Sequence, residues 1–308
     1  MKITQKISNP IYKELKKLKL IQDSRLVTLN NKTRDKKIKV IKDLKTKIIF
    51  LEKNINANKY YSSLKYKLSD RKVKGQLNRK ITTTKTLSGN IRTSIIRDDY
   101  RRAVQFEKYL KNKNILDFGC GWGGFLRNLN DFKSLSGIEL RKECINNIQK
   151  KIKKIHILDN INSFKHKFDV ITMFHVLEHI PYQIETLKVL KSKLKNKGKI
   201  IIEVPHAEDF LILQNELKEF RNFTFWSEHL ILHTYKSLKT ILSKSGFKNI
   251  NIKYYQRYDF SNHLGWFIKR KPSGHDFYKK IVSDKLNNSY FENLKKLGQT
   301  DTLIAIAE

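Results

Sequence analysis

Cysteine is nearly absent. Two residues, Cys120 and Cys144, stand in 308 positions, too few for a disulfide framework or a cysteine-built zinc cluster. Long apolar runs are missing too. No stretch approaches the ~20 residues that a membrane-spanning helix needs. The first residues, Met1-Lys2-Ile3-Thr4-Gln5-Lys6, lack the apolar core of a signal peptide. These absences lead us to expect a cytoplasmic protein without a membrane span. Acids are scarce beside bases: 29 Asp and Glu against 64 Lys and Arg, a formal charge of +35. Such an excess invites a polyanionic partner, nucleic acid or membrane. Two facts favour a merely solvated surface. Only 13 of the 64 bases are Arg, the better phosphate fork. Lys, Asn and Ile are abundant together, as an A/T-rich coding sequence would give. The excess is also spread along the chain, +19 over residues 1–100 (27 bases, 8 acids) and +16 over residues 101–308 (37 bases, 21 acids).

What the chain does have is a dense signal at Ile115-Leu-Asp-Phe-Gly-Cys-Gly-Trp-Gly-Gly-Phe-Leu126. A short apolar run ends in Asp117, and Gly119, Gly121, Gly123 and Gly124 follow. That describes a buried strand entering a turn whose backbone approaches a ligand closely. Glu139 ends a second apolar run 22 positions after Asp117, the offset at which an acid holds ribose hydroxyls. A dinucleotide site is excluded on two grounds: the third glycine spacing is wrong, and Asp117 would repel a pyrophosphate. An acid there suits a ligand carrying an ammonium group.

Around this loop the chain divides in two. Residues 1–20 carry Ile11, Leu15, Leu18 and Leu20 at roughly helical spacing, and Ile38–Ile41 and Ile48–Leu51 flank a hairpin turn at residues 43–46. Residues 67–95 are polar and predict a linker. From residue 97 a helix leads into alternating signals: strands at 115–117, 135–140, 155–158, 168–174 and 200–204, and helices over 124–130, 143–153 and 184–194. A helix at 235–245 is stopped by Gly246, and strands at 247–255 and 302–307 complete the set. This alternation implies a mostly parallel sheet covered on both faces, with ligands at the carboxyl ends of its strands.

Asp-x-Gly-x-Gly after a strand resembles the first motif of the class I S-adenosyl-L-methionine-dependent methyltransferases. Phe168-Asp169-Val170-Ile171 with His175-Val-Leu-Glu-His179, and residues 190–204, resemble that family's fourth- and fifth-strand motifs. The resemblance implies an α/β Rossmann-like fold with a seven-stranded, mostly parallel sheet. It places a small α+β extension in residues 1–95, the methyltransferase domain in 96–308, and an insertion in 259–298. It implies S-adenosyl-L-methionine as cofactor, held by Asp117, Gly119, Cys120, Gly121, Gly123, Glu139, Leu140, Asp159, Asn160 and Phe174. Glu203-Val-Pro-His206, Phe225-Trp-Ser-Glu-His-Leu230, Gln256-Arg-Tyr258, Asn262-His-Leu264 and Lys271-Pro-Ser-Gly-His275 resemble a bacterial branch that modifies sugars and surface polysaccharides. Relatives there sometimes carry a cysteine-rich zinc module near the N-terminus. Its cysteines are absent here, so no structural metal is expected.

Methyl transfer needs an aligned nucleophile and, for a hydroxyl, a proton acceptor. His175, His179, His206, His229 and His233 are the candidates. The pair Glu228-His229 resembles the acid–histidine pair of sugar C-methyltransferases and makes His229 the expected base, oriented by Glu228. Trp226 replaces the tyrosine those relatives carry, which leaves O- and N-methylation open beside C-methylation. His175 and Glu178-His179 are secondary catalytic candidates; Glu178-His179 is more readily read as a capping element behind the cofactor loop, and His175, Glu178 and His179 could also imitate the metal-ligand set of quinone-biosynthesis O-methyltransferases, although those carry a Glu where His175 stands. Trp122 and Trp226 are candidates for the pocket wall or for the core, and Arg257, Tyr258, His263, Trp266 and His275 equally for sugar or nucleotide stacking or for covering a sheet edge. The expected acceptor is a sugar, sugar nucleotide or surface-glycan precursor. One alternative is RNA gripped by the basic residues 1–100, although no Asn/Asp-Pro-Pro-Tyr motif follows the fourth strand. The other is a non-catalytic scaffold, against which the intact Asp117–Gly124 loop argues.

Overall fold

A computed structural model describes residues 7–55, 95–152 and 155–308; the expected linker at 67–95 therefore falls almost wholly outside the described residues. The first elements are helix α1 (Pro10–Lys17) and strands β1 (Leu26–Asn30), β2 (Val40–Asp43) and β3 (Ile49–Leu51). Asn9 caps α1 by accepting from the Ile11 amide, Pro10 sits where no amide partner is needed, and Ile11 and Leu15, one turn apart, face inward. The β2–β3 hairpin is closed by Asp43, whose Oδ1 accepts from the amides of Lys45 and Thr46 at 2.9 and 2.8 Å.

Helix α2 (Ile95–Leu110) leads to β4 (Asn114–Phe118), β5 (Ser134–Ile138), α3 (Lys142–Lys151), β6 (Ile155–Leu158), β7 (Phe168–Phe174), α4 (Gln183–Ser192) and β8 (Leu194–Pro205). Two short helices, α5 (Phe210–Leu213) and α6 (Lys218–Thr224), precede β9 (Ile231–Leu232), α7 (Tyr235–Lys244) and β10 (Asn251–Tyr255). Helices α8 (Phe260–Lys269), α9 (Gly274–Phe277) and α10 (Asp284–Leu297) fill the expected insertion before β11 (Thr302–Ala307). Seven strands form one sheet in the order β10-β11-β8-β7-β4-β5-β6. The β6-β5-β4-β7-β8 run is parallel, and β11 lies antiparallel to both β8 and β10. Among the described residues no helix is long and apolar enough to cross a membrane.

Alternate residues of the central strands feed opposite faces, as the pleat requires. Leu116, Ile171, Ile200 and Ile202 pack with Leu187, Leu190, Leu238 and Ile241 of α4 and α7. Ile115, Val170 and Ile201 pack on the other side with Phe106, Leu110 and Ile148 of α2 and α3. Runs that are apolar on both faces of the sheet are what made the strands readable.

The expected helix over 124–130 is a correction. Only one 3₁₀ turn, Leu126–Asn128, forms there. Glycines 123 and 124 are poor helix starters, Gly123 has φ +71 and Asp131 φ +54, and the Asn128 side chain bonds back to the Gly124 carbonyl at 2.7 Å. The segment around His229 also departs from a helix: β9 is extended and pairs with β3, extending the N-terminal sheet to the order β1-β2-β3-β9. His233 therefore shares no helix face with His229. It is buried, with its Nδ1 3.2 Å from Ser237 Oγ.

Candidate functional site

The sheet sets the geometry. Strand pairing matches Asp117 to Gly137 and Phe118 to Ile138, so the glycine turn and Glu139 leave the same edge side by side. The Ile138 carbonyl accepts from the amides of Gly119 and Cys120 at 2.9 and 3.0 Å. Gly119 has φ +81, and a Cβ there would lie 2.5 Å from Val176, so no other residue fits without moving the wall. We expect Gly119→Ala to cost about 1 kcal/mol or more of stability and at least tenfold in cofactor affinity. Thermal melting and calorimetric titration check both.

A cavity of about 560 Å³ opens at this edge, within the roughly 300–1,000 Å³ typical of small-molecule sites. Its lining comes from the ends of β4, β5 and β6 (Phe118, Gly119, Glu139, Leu140, Asp159 and Asn160), from the segment after β7 (His175, Val176 and His179), and from Thr186 and Glu228. Five of the ten residues expected to hold the cofactor thus line the cavity. Asp117, Cys120, Gly121, Gly123 and Phe174 stand behind or beside it. Cys120 packs on Gly137, and Phe174 packs between Phe106 and Phe125. Trp122 is buried, while Trp226 lies under the Arg34 guanidinium at 4.4 Å. Of the group read as suited either to stacking or to covering a sheet edge, His263 and Trp266 are buried, His263 against Tyr290 and Trp266 against Phe220 and Phe223.

Buried carboxylates surround the glycine turn. Asp117 accepts from Thr172 Oγ1 at 2.7 Å. Burial pushes its pKa up to about 7, against the Thr172 hydrogen bond and with help from the charge of Asp99. Asp99, on α2, is raised to about 6, by burial first and then by Asp98, although Arg102 opposes the shift. Glu139 is gripped by Arg141, whose backbone amide and Nε both lie 3.0 Å from Oε1. Arg141 lines the cavity, and the sequence reading missed it; its place two residues after Glu139 was the available signal.

After β7 His175 has φ +53, an uncommon backbone conformation for a non-glycine residue. Its Nδ1 lies 3.2 Å from Glu178 and its Nε2 3.2 Å from Glu203. Burial and Arg257 disfavour the imidazolium, yet the two carboxylates prevail and its pKa is raised. Glu203 is fully buried and held by forks from Arg101 and Arg102, which keep it ionised despite burial. Glu178 is lowered to about 2: burial opposes, but the His175 hydrogen bond and the neighbouring His179 and His175 imidazoles win. Burial, then His179, pushes His229 down to about 3. Burial pushes Glu228 up from its usual range. Among the described residues no hydrogen bond joins Glu228 to His229. The His229 ring instead meets His179 edge-on, with centroids 4.9 Å apart.

The N-terminal module holds this end in place. Asp35 accepts from the Ser227 amide at 3.1 Å and from its hydroxyl at 2.6 Å. The Arg34 amide bonds to the Phe225 carbonyl, and Asn9 Nδ2 to the Leu230 carbonyl at 3.0 Å. Glu14 accepts from the amides of Gln183 and Ile184 at 3.3 and 3.0 Å, capping α4 from a different element. Glu228 and His229 thus sit on a segment pinned from outside the main sheet. Asp35→Ala is expected to cost about 1–3 kcal/mol, as loss of hydrogen bonds to a charged group does. It should lower turnover about tenfold and leave cofactor affinity unchanged. Parallel activity and binding assays separate the two effects.

A family model described as a methyltransferase domain matches residues 91–252. An uncharacterised protein of Methanocaldococcus jannaschii is 32% identical over 122 residues, 38% of this chain and 52% of that protein. A tRNA U34 carboxymethyltransferase of Aliarcobacter butzleri is 30% identical over 157 residues, 46% of this chain and 50% of that protein. The chain spans about half the length of these curated relatives. A solved S-adenosylmethionine-dependent methyltransferase from Archaeoglobus fulgidus superposes with a TM-score of 0.47 at 21% identity, covering 69% of this chain and 93% of that one.

Proposed function

The chain belongs to the methyltransferase-domain family, with S-adenosyl-L-methionine as cofactor, and from that premise we propose that it methylates a sugar, sugar nucleotide or surface-glycan precursor. The observation that carries this reading is the composition of the cavity. Its Glu139–Asn160 end offers acids and amides to ribose and adenine, and its far end offers Glu228, His175, His179 and Thr186 to the acceptor. A carboxylate with imidazoles and a hydroxyl suits a small polyol. Phe118 is the sole Phe, Tyr or Trp side chain in that lining among the described residues, and the polar groups are set among the aliphatic side chains of Ile138, Leu140, Ile161, Val176 and Ile180.

Bound there, the cofactor supplies an electrophilic methyl on a sulfonium. Asp117, with Asp99 behind it, provides negative charge for its ammonium group, and Glu139 releases Arg141 to accept from ribose hydroxyls. Glu228 would take the proton of an acceptor hydroxyl as that hydroxyl receives the methyl group, the sulfonium leaving as a neutral thioether. This exchanges the expected roles of the Glu228-His229 pair. An imidazole held at about 3 is a feeble base near neutrality, while a carboxylate raised by burial gains basicity.

A second reading, an RNA acceptor, draws on the tRNA U34 carboxymethyltransferase relative and on the +35 charge. Incubation with labelled S-adenosyl-L-methionine, a set of nucleotide sugars and total tRNA decides. We expect label in a nucleotide sugar. Label in tRNA alone, with binding that falls steeply from low to physiological salt, would replace the sugar reading with the RNA one.

A further inference from the structure

Three side chains at the acceptor end serve no role in the proton transfer above, and their polar atoms converge. Glu178, His179 and His229 each offer one donor atom, and the three atoms lie within 4.8 Å of one another. We propose that Glu178, His179 and His229 form a binding site for a divalent transition-metal ion, zinc foremost.

Unmet polar atoms point to a missing ligand. Glu178 is completely buried, yet its Oε2 has no hydrogen-bond partner, and neither does the buried Nδ1 of His179. A buried carboxylate oxygen without a donor is costly, and a cation removes that cost. One carboxylate and two imidazoles are the donor set of His₂Glu zinc sites; the same donors accept other borderline ions in the order of the divalent series. Ligands at about 2.1 Å around a tetrahedral ion stand roughly 3.4 Å apart, so binding shortens no separation by more than about 1.4 Å.

The backbone already brings them together. Residues 177–179 form a single 3₁₀ turn, and the Leu230 amide bonds to the Glu178 carbonyl at 2.8 Å. That bond ties the strand end carrying Glu178 and His179 to the segment carrying His229. Pairing of β9 with β3 holds the segment from its other side. Outer contacts are in place as well. His175 faces Glu178 through Oε1, leaving Oε2 open, and Glu203 backs His175 under the Arg101 and Arg102 forks; such partners orient metal ligands. His179 lines the cavity, so a fourth position opens towards the acceptor, where an ion would bind and acidify a hydroxyl.

Metal binding is read without any acceptor, so its outcome stands apart from the sugar assignment. Metal-free full-length protein is titrated with zinc in competition with a chromophoric chelator. The expected result is one site per chain, weakened at least about 100-fold in Glu178→Gln and His229→Gln and unchanged in His156→Gln, which alters an exposed histidine. Equal zinc affinity in wild type and His229→Gln, or no uptake by folded wild type, overturns the proposal. Should the variants misfold, cobalt(II) on the wild-type protein decides. A four-coordinate visible spectrum supports the site, and a spectrum identical to aqueous cobalt refutes it.

Discussion

Asp117→Asn is expected to weaken S-adenosyl-L-methionine binding about 100-fold, the size of a lost charge-assisted hydrogen bond of 2–3 kcal/mol. The substitution keeps the side-chain shape and the contact with Thr172, so the loss reports charge alone. A pH signature accompanies it. The folded protein raises Asp117 from 3.8 to about 7, so folding favours the protonated acid. The stability this lends the free protein is complete below 3.8 and is lost as pH rises through about 7. Asp99 behaves alike through about 6. A bound ammonium group favours the opposite state, the carboxylate. Cofactor affinity should therefore climb with pH up to about 7 and then level, and at pH 6 binding should release protons. Calorimetry in buffers of different ionisation enthalpy measures that release. A flat wild-type profile, or a release retained in Asp117→Asn, would sink the assignment of Asp117 to the ammonium end.

Glu228→Gln is expected to lower turnover at least about 100-fold, as removal of a general base does, while cofactor affinity stays unchanged. The fold keeps this carboxylate half-buried on the cavity wall with its pKa raised by burial. Wild-type turnover should fall as the pH drops through that raised value, because protonation removes the acceptor of the proton. The glutamine variant should lose this dependence along with the rate. Near-normal turnover in Glu228→Gln would return the role of base to another side chain in the cavity.

The parts that the sequence disclosed are those written in local pattern. Asp117 and Glu139 terminate neighbouring strands whose apolar runs are continuous, and Gly119 occupies a backbone conformation that other residues resist. Both facts leave marks within a dozen residues. The contacts that shape the acceptor end leave none. Asp35 meets Ser227 across 192 residues, Glu14 caps α4 across 169, and Arg101 grips Glu203 across 102. No periodicity encodes such pairs. The choice between ligand stacking and burial for Trp266 was undecidable for the same reason: α8 packs against residues far from it in the chain. The missing helix after Gly124 shows local chemistry overriding the alternation of the fold, with Asn128 and Asp131 turning the chain early.

The most direct measurement is calorimetric titration of S-adenosyl-L-methionine and S-adenosylhomocysteine into the purified full-length chain. One site per chain with micromolar affinity for both is the expected result. No binding by protein shown to be folded would contradict the cofactor pocket at Asp117, Gly119 and Glu139.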